Sequence, residues 1–374
     1  MTRFGIVISG GTADRVPVVP KIWIDLAARI MGVSFLDALN DPQLAMKTVV
    51  RACLKLEMDA ARLLLFPPRR IELVDGAYVH LDPGGRRLGR VDIEGGWATH
   101  FDDPAAVDIA RDEVMFDYAH FLASRPALAD ESDLRRMAIP AAAFYEKAGY
   151  GREVDEIAAE AGNAIALIGD CSSGTLAFHV AMRGMDQALL DLYDHPRLVH
   201  ASMEKGIALC IERAKFFLAH GIKTLRYNDS VANMSVISPD QWREFIFPGI
   251  KRFCDTVHGC DAQARIYCHI CGNILPIARD LAATGLDCIS PLDPLGGMTV
   301  AEVRQAVGDD VILMGGVNTL ALLNARPQEV EADARRCIQE GNRNGRFILG
   351  SGCVVPRATP MASLRAMRAA AATQ

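Results

Sequence analysis

The chain has 374 residues, 50% of them hydrophobic, with a formal net charge of −6 and a pI near 5.9. It is long enough to bury one barrel-sized core or two smaller ones, and its acidic balance argues against nucleic acid or an anionic membrane as the main partner. No apolar run approaches the ~18 residues of a membrane span, and ten scattered cysteines form no compact disulfide framework but suit a reducing cytoplasm, the expected location.

The opening Met1 to Ile8 is too short for a signal-peptide core and lacks a small-residue cleavage site. Helical patterns follow over 21–31 and 41–58, the second with Asp41 as cap and Pro42 at the first helical position. The run 61–66 reads as a strand closed by Pro67-Pro68, and 78–82 and 88–93 flank Pro83-Gly84-Gly85 as a surface β-hairpin. Amphipathic helices are expected over 104–124, 154–161, 189–220, 239–258, 272–284, 300–307 and 329–344. Between them lie 164–169, 222–228, 265–269, 286–290, 311–315 and 346–350, short runs rich in Val, Ile or Leu, as parallel strands buried on both faces should be.

This alternation means βαβ units. With 61–66 and one further strand expected between 95 and 140, the count is about eight, the number a (β/α)8 TIM barrel needs. The expected α/β fold is therefore a single barrel domain over 1–374, with an N-terminal helical extension and the hairpin as an insertion. The rival doubly wound sheet would carry a glycine-rich phosphate turn, and none follows a strand here. An Ala-rich tail ending at Gln374 is the one compositional bias.

In a barrel, catalytic groups collect at the carboxyl ends of the strands. Those places hold Asp170-Cys171-Ser172-Ser173, Asn228-Asp229-Ser230, His269 and Cys271, Asp293, Gly315-Gly316-Val317-Asn318, and Cys353. On a strand, residues i and i+2 share a face, so His269 and Cys271 aim together while Cys268 and Ile270 turn away. An imidazole and a thiol converging there suit zinc, and Cys353 offers a third ligand from far along the chain. Asp229 is open as a fourth ligand, a general acid or a cap for the segment that follows, and Asn228 as a substrate-orienting group or a satisfier of its loop. These two are the catalytic candidates. Gly315, Gly316 and Asn318 are the cofactor-side candidates, with a tight turn near the pocket weighed above phosphate binding. Asp170 reads as a cap, His179 and Arg183 as helix-surface residues, and Cys288 as core.

Further segments carry a family pattern: Gly174-Thr175-Leu176 leading to Arg183-Gly184-Met185, then Asn228-Asp229-Ser230, then Gly315-Gly316-Val317-Asn318-Thr319. Gly345-Arg346-Phe347-Ile348-Leu349-Gly350, Pro356, Thr359-Pro360, Arg365-Ala366-Met367 and the opening Asp14-Arg15-Val16-Pro17-Val18 complete it. Over nearly its full length the chain resembles the uroporphyrinogen decarboxylase superfamily, whose fold is a single (β/α)8 barrel. His269, Cys271, Gly272 and Cys353 are similar to the zinc methyltransferase branch. That branch includes methylcobamide:coenzyme M methyltransferases and corrinoid-dependent chloromethane and aryl-ether demethylation proteins. Decarboxylases carry paired arginines near the N-terminus, an Asp after an early strand and a late Gly-His-Gly. Here those places read Lys21 to Arg29, Pro67-Pro68 and Gly350-Ser351-Gly352-Cys353.

The resemblance implies a zinc-dependent methyltransferase that moves methyl between a corrinoid (methylcobalamin) and a small thiol or an O- or S-methylated compound, in either direction. The corrinoid would come on a partner protein, because the chain has no Asp-x-His-x-x-Gly cobalamin motif. One alternative is a metal-free decarboxylase of a porphyrinogen or polycarboxylate, which predicts a basic pocket; another is a non-catalytic zinc-dependent binder. Relatives occur as monomers and dimers, so a homodimer is one expected state. Residues 75–135 carry no assigned role beyond covering the mouth or meeting a partner.

Overall fold

The computed structural model describes residues 1–93, 97–103, 107–122 and 126–372. Its strands in chain order are β1 (Ala60–Leu63), β2 (Ile71–Val74), β3 (Ala77–Leu81), β4 (Arg87–Asp92), β5 (Ala98–Phe101), β6 (Phe121–Leu122), β7 (Ala166–Ser173), β8 (Thr224–Asn228), β9 (Arg265–His269), β10 (Cys288–Leu292), β11 (Ile312–Val317) and β12 (Phe347–Ser351). Seven of them form one parallel sheet in the order β1-β7-β8-β9-β10-β11-β12. The predicted apolar runs all enter this sheet, and its strands are buried almost throughout, as helix-covered parallel strands must be.

The sheet's two edges meet the same extended segment. Leu349 N donates to Pro17 O at 2.9 Å and Val19 N to Leu349 O at 2.8 Å, on the β12 side. On the β1 side Asp59 N donates to Val18 O at 3.0 Å, while Asp59 Oδ2 accepts from Val18 N at 2.7 Å. Arg15 fixes the same carboxylate through two bonds of 2.7 and 2.9 Å. Among the described residues, the additional strand expected between 95 and 140 does not join the parallel sheet. The strands found there, β5 and β6, belong to a second sheet, β2-β3-β4-β5-β6, built around the predicted hairpin. Parallel-sheet membership depends on pairing partners, which local β propensity does not specify.

Helix boundaries differ where proline intervenes. The segment 189–220 is two helices, Met185–Asp194 and Pro196–Ala219, because Pro196 cannot donate to the preceding turn and starts a helix instead. Upstream of Pro248, 239–258 contains a π turn at Trp242–Ile246. The expected helix 104–124 is reduced to Asp112–Phe116 and a short turn at Tyr118–His120. The parts of these expectations on 94–96, 104–106, 123–125 and 373–374 lie outside the described residues. Asp41 does cap Pro42–Lys55, accepting from Leu44 N at 3.0 Å.

The N-terminal helix Arg3–Ile8 closes the amino end of the sheet, packing Phe4, Val7 and Ile8 on Ile168, Ile312 and Ile348. The insertion is bound by a separate apolar cluster, Ile109, Met115, Tyr118 and Leu134 against Phe178, Met182 and Leu209. Among the described residues no helix is long and apolar enough to cross a membrane.

Candidate metal centre and substrate cavity

Strand register builds the site. Ser173 pairs with Asn228, Asn228 with His269, and His269 with Ser290, so four polar residues form a row at the carboxyl end of the sheet. Beyond His269 the chain turns at Gly272, whose φ of +85° a side chain would strain. Asp293, just after β10, holds that turn by accepting from Gly272 N at 3.0 Å, and accepts from Leu295 N at 3.0 Å with its other oxygen. Cys353 follows β12, its carbonyl bonded by Ser351 Oγ at 2.6 Å, and Ser351 Oγ in turn accepts from Lys21 N at 2.9 Å.

The ligand atoms of His269, Cys271 and Cys353 lie within 4.8 Å of one another. Tetrahedral zinc with sulfur at about 2.3 Å and nitrogen at about 2.0–2.1 Å spaces its donors about 3.4–3.8 Å apart, so a contraction of roughly 1 Å would seat the ion. Donor chemistry agrees. Burial, with Lys21, Arg226 and Arg62 nearby, holds His269 well below its usual pKa, leaving the neutral imidazole a metal needs. The neighbouring Cys271 sulfur, with help from Lys21, draws the Cys353 thiol down against burial, while the Cys353 sulfur raises Cys271.

Around this group lies a cavity of about 430 Å³. Its lining includes the polar Asp170, Ser172, Ser173, Asn228 and Arg226 and the apolar Trp23, Leu64, Phe66, Trp97 and Phe116. Arg226 donates to Asp170 and to Asn228 Oδ1, and Asn228 Nδ2 donates to Ser173 Oγ at 2.8 Å. Lys21 Nζ stands 3.1 Å from His269 Nε2, and burial, then Arg226, depresses the Lys21 ammonium well below its usual range. Arg69 and Arg213 also line it, so the cavity has a basic lining although the N-terminal segment lacks the paired arginines.

Residues 122–374 match the family described as uroporphyrinogen decarboxylase (URO-D). The chain belongs to the uroporphyrinogen decarboxylase family. It is similar to methylated-thiol--coenzyme M methyltransferase of Methanosarcina mazei, at 28% identity over 193 residues, 51% of this chain and 48% of that protein. It is also similar to methylcobamide:CoM methyltransferase MtaA of Methanosarcina barkeri, at 25% identity over 174 residues, 46% and 48% of the two chains. The chain spans about half the length of the curated relatives it matches. A solved structure described as a methyltransferase from Methanosarcina mazei shares the fold, with a TM-score of 0.68 over 98% of this chain and 96% of that one at 18% identity.

Within this uroporphyrinogen decarboxylase fold, four expected site residues stand away from the cavity lining. Asp229 is buried, and its carboxylate accepts from Thr175 Oγ1, Leu176 N at 2.8 Å and Ala177 N at 2.8 Å, capping the helix Leu176–Arg183 rather than the segment after it. Gly315 and Gly316 lie inside β11, where a Cβ on Gly315 would stand 2.3 Å from Leu292 N and one on Gly316 2.8 Å from Val300 Cγ2. Close strand and helix packing accounts for these glycines, and neither is among the residues lining the cavity. Asn318 caps the helix Thr319–Asn324, accepting from Leu320 N and Ala321 N.

Asp170 to Ser173 prove to be the end of β7, with a bulge, rather than a loop beyond it. His179 and Arg183 are buried, not on the surface: His179 bonds Ser202 and Asp191, and Arg183 holds Asp191 through two oxygens. Cys288 is core, as expected. Residues not singled out from sequence are Lys21, Trp23, Arg69, Trp97, Arg213 and Arg226. Arg226 had a usable signal, a charged residue in the middle of a buried strand. The others come from a helix, the insertion and loops, and nothing in their local pattern points to the cavity.

Proposed function

We propose that the protein is a zinc-dependent methyltransferase, exchanging a methyl group between a corrinoid carried by a partner protein and a small substrate in this cavity. The carrying observation is the convergence of His269, Cys271 and Cys353 at the wall of one cavity. A zinc ion held by these three would leave a fourth position and act there as a Lewis acid, favouring a substrate thiolate or easing departure of a methylated oxygen or sulfur. The protein's own groups prepare that place. His269 is kept neutral, Asp293 fixes the turn that presents Cys271, and the Asp170–Arg226–Asn228–Ser173 chain holds a polar wall in position. Asp229 acts as a positioning residue through the helix that it caps.

We read the segment 17–21 as the eighth stave that closes a (β/α)8 barrel over a single domain. A cytoplasmic protein that meets a corrinoid protein, alone or as a homodimer, and binds neither nucleic acid nor membrane is the matching cellular picture. The basic lining favours one second reading, a metal-free decarboxylase of a polycarboxylate, for which the nitrogen and two sulfurs have no task.

Elemental analysis separates the two. The purified protein should carry about one zinc per chain, lost in folded Cys271→Ala and Cys353→Ala variants. Methyl transfer from free methylcobalamin to a thiol should vanish in Cys353→Ala. A zinc-free wild-type protein that decarboxylates but transfers no methyl would overturn the proposal.

A further inference from the structure

The turn that presents Cys271 is gripped by a side chain outside the cavity lining. Asn233 stands in the loop after β8 and is buried. That loop is stitched to the segment after β9 on either side of Cys271: Asp229 N donates to His269 O at 3.0 Å, and Met234 N to Asn273 O at 2.9 Å. Between those two bonds the Asn233 carboxamide lies against Gly272. A Cβ on that glycine would stand 2.9 Å from Asn233 Cγ and 3.1 Å from its Oδ1. The β10 loop presses on the same turn, since a Cβ on Gly296 would stand 2.3 Å from Gly272 C. With Gly272 at φ +85° and its N–H held by Asp293, the turn has little room to shift.

The polar ends of the Asn233 amide have separate partners. Its Oδ1 accepts from Ser235 N at 2.9 Å, closing a local turn, and its Nδ2 donates to Ser230 O at 3.2 Å. Ser230 O is also the oxygen that Cys271 Sγ faces at 3.8 Å. A thiol can donate to that oxygen, but a thiolate, the form that binds a metal, cannot. Once the sulfur holds an ion, the Asn233 N–H is the side-chain donor that still engages the Ser230 carbonyl. Removing it would leave that carbonyl oxygen beside a negative sulfur.

We propose that Asn233 is a positioning residue of the metal centre. Its carboxamide seats the Gly272 turn and holds the Ser230 carbonyl, and so fixes where the Cys271 sulfur stands relative to His269 and Cys353. This role rests on the zinc-dependent reading of the site. Outer groups that orient metal ligands change metal affinity by about 10–100-fold when they are removed.

Chelator competition on the full-length protein tests this with two variants. Asn233→Leu keeps the bulk against Gly272 and loses the donor, and Asn233→Ala loses both. Zinc affinity should fall by about 10–100-fold in each. Cobalt(II) loaded in place of zinc should give sulfur-to-metal charge-transfer bands shifted or weakened from those of wild type. A purely local turn would lower the urea stability of the metal-free variants and leave affinity and bands unchanged. That result overturns the inference, and folded Asn233→Leu alone suffices to give it if Asn233→Ala does not fold. Zinc-free wild type would sink the metal site and this role together, whereas wild type that holds zinc but transfers no methyl would sink the transfer alone.

Discussion

Asp229 shows how one buried carboxylate can join a strand end to a neighbouring helix. Its two oxygens accept from the Thr175 hydroxyl and from the first amides of the helix Leu176–Arg183, linking the end of β8 to that helix. Burial pushes its pKa up to about 6 although these hydrogen bonds pull down. Replacing it by Ala strands the buried Leu176 N–H and the partly buried Ala177 N–H, a buried group costing about 1–3 kcal/mol when unsatisfied. Urea unfolding of Asp229→Ala should therefore show a loss in that range or above. A variant as stable as wild type would mean that the cap is dispensable.

At the scale of elements, the helices around the sheet are clipped by buried or half-buried polar groups. His179, flanked by Ser202 and Asp191, has the composition of a nucleophilic triad but is sealed from solvent; burial holds its pKa down at about 4, so it acts as a neutral clamp between three helices. His220, at the end of Pro196–Ala219, is different. Its ring bonds Asp155 at 2.8 Å and Glu146 at 2.6 Å, tying Tyr150–Ala161 and Ala142–Lys147 to it. Burial lowers its pKa, but the hydrogen bonds and charges of the two acids more than offset that and leave it raised above 6.5. A raised pKa means stabilisation fully present below about 6.5 and lost as pH rises through the folded value. The stability difference between wild type and His220→Gln should accordingly be largest near pH 5–6 and shrink toward pH 9. A difference that stays constant over that interval would show that the acids do not hold the charged imidazole.

The whole molecule depends on how its sheet is joined. Segment 17–21 touches both edge strands, and the Arg15–Asp59 pair, with side chains 10% and 7% exposed, secures it beside Val18. Removing one member of such a pair leaves the other charged and partly buried, at a cost of about 3–5 kcal/mol. Asp59→Ala should lose about that much in urea unfolding, with faster amide exchange at Val19 and Leu349. Unchanged exchange at those amides would show that the seam is held by its backbone bonds alone. The same segment ends in Lys21 beside His269, so the joint and the candidate metal centre share residues.

The chain's periodicity by itself determined the alternation of strands and helices, because burial on both faces imposes continuous apolar runs and helix-covered surfaces impose a 3.6-residue repeat. It also offered the candidate donors: a period of two, if the strand ran on, would put His269 and Cys271 on one face, and Cys353 follows another apolar strand, although Cys171, Asp170, Asp229 and Asp293 also stand at strand ends. Tertiary structure alone decided the rest. Which segment joins the sheet's edges depends on pairing partners hundreds of residues apart, as Lys21 with Val354 shows. Whether Asp229, Gly315, Gly316 and Asn318 face a cavity or a neighbouring backbone is likewise a matter of long-range packing. So is the gathering of Trp23, Trp97 and Arg213 around one space, since their places in it are set by contacts between elements and not by any local pattern.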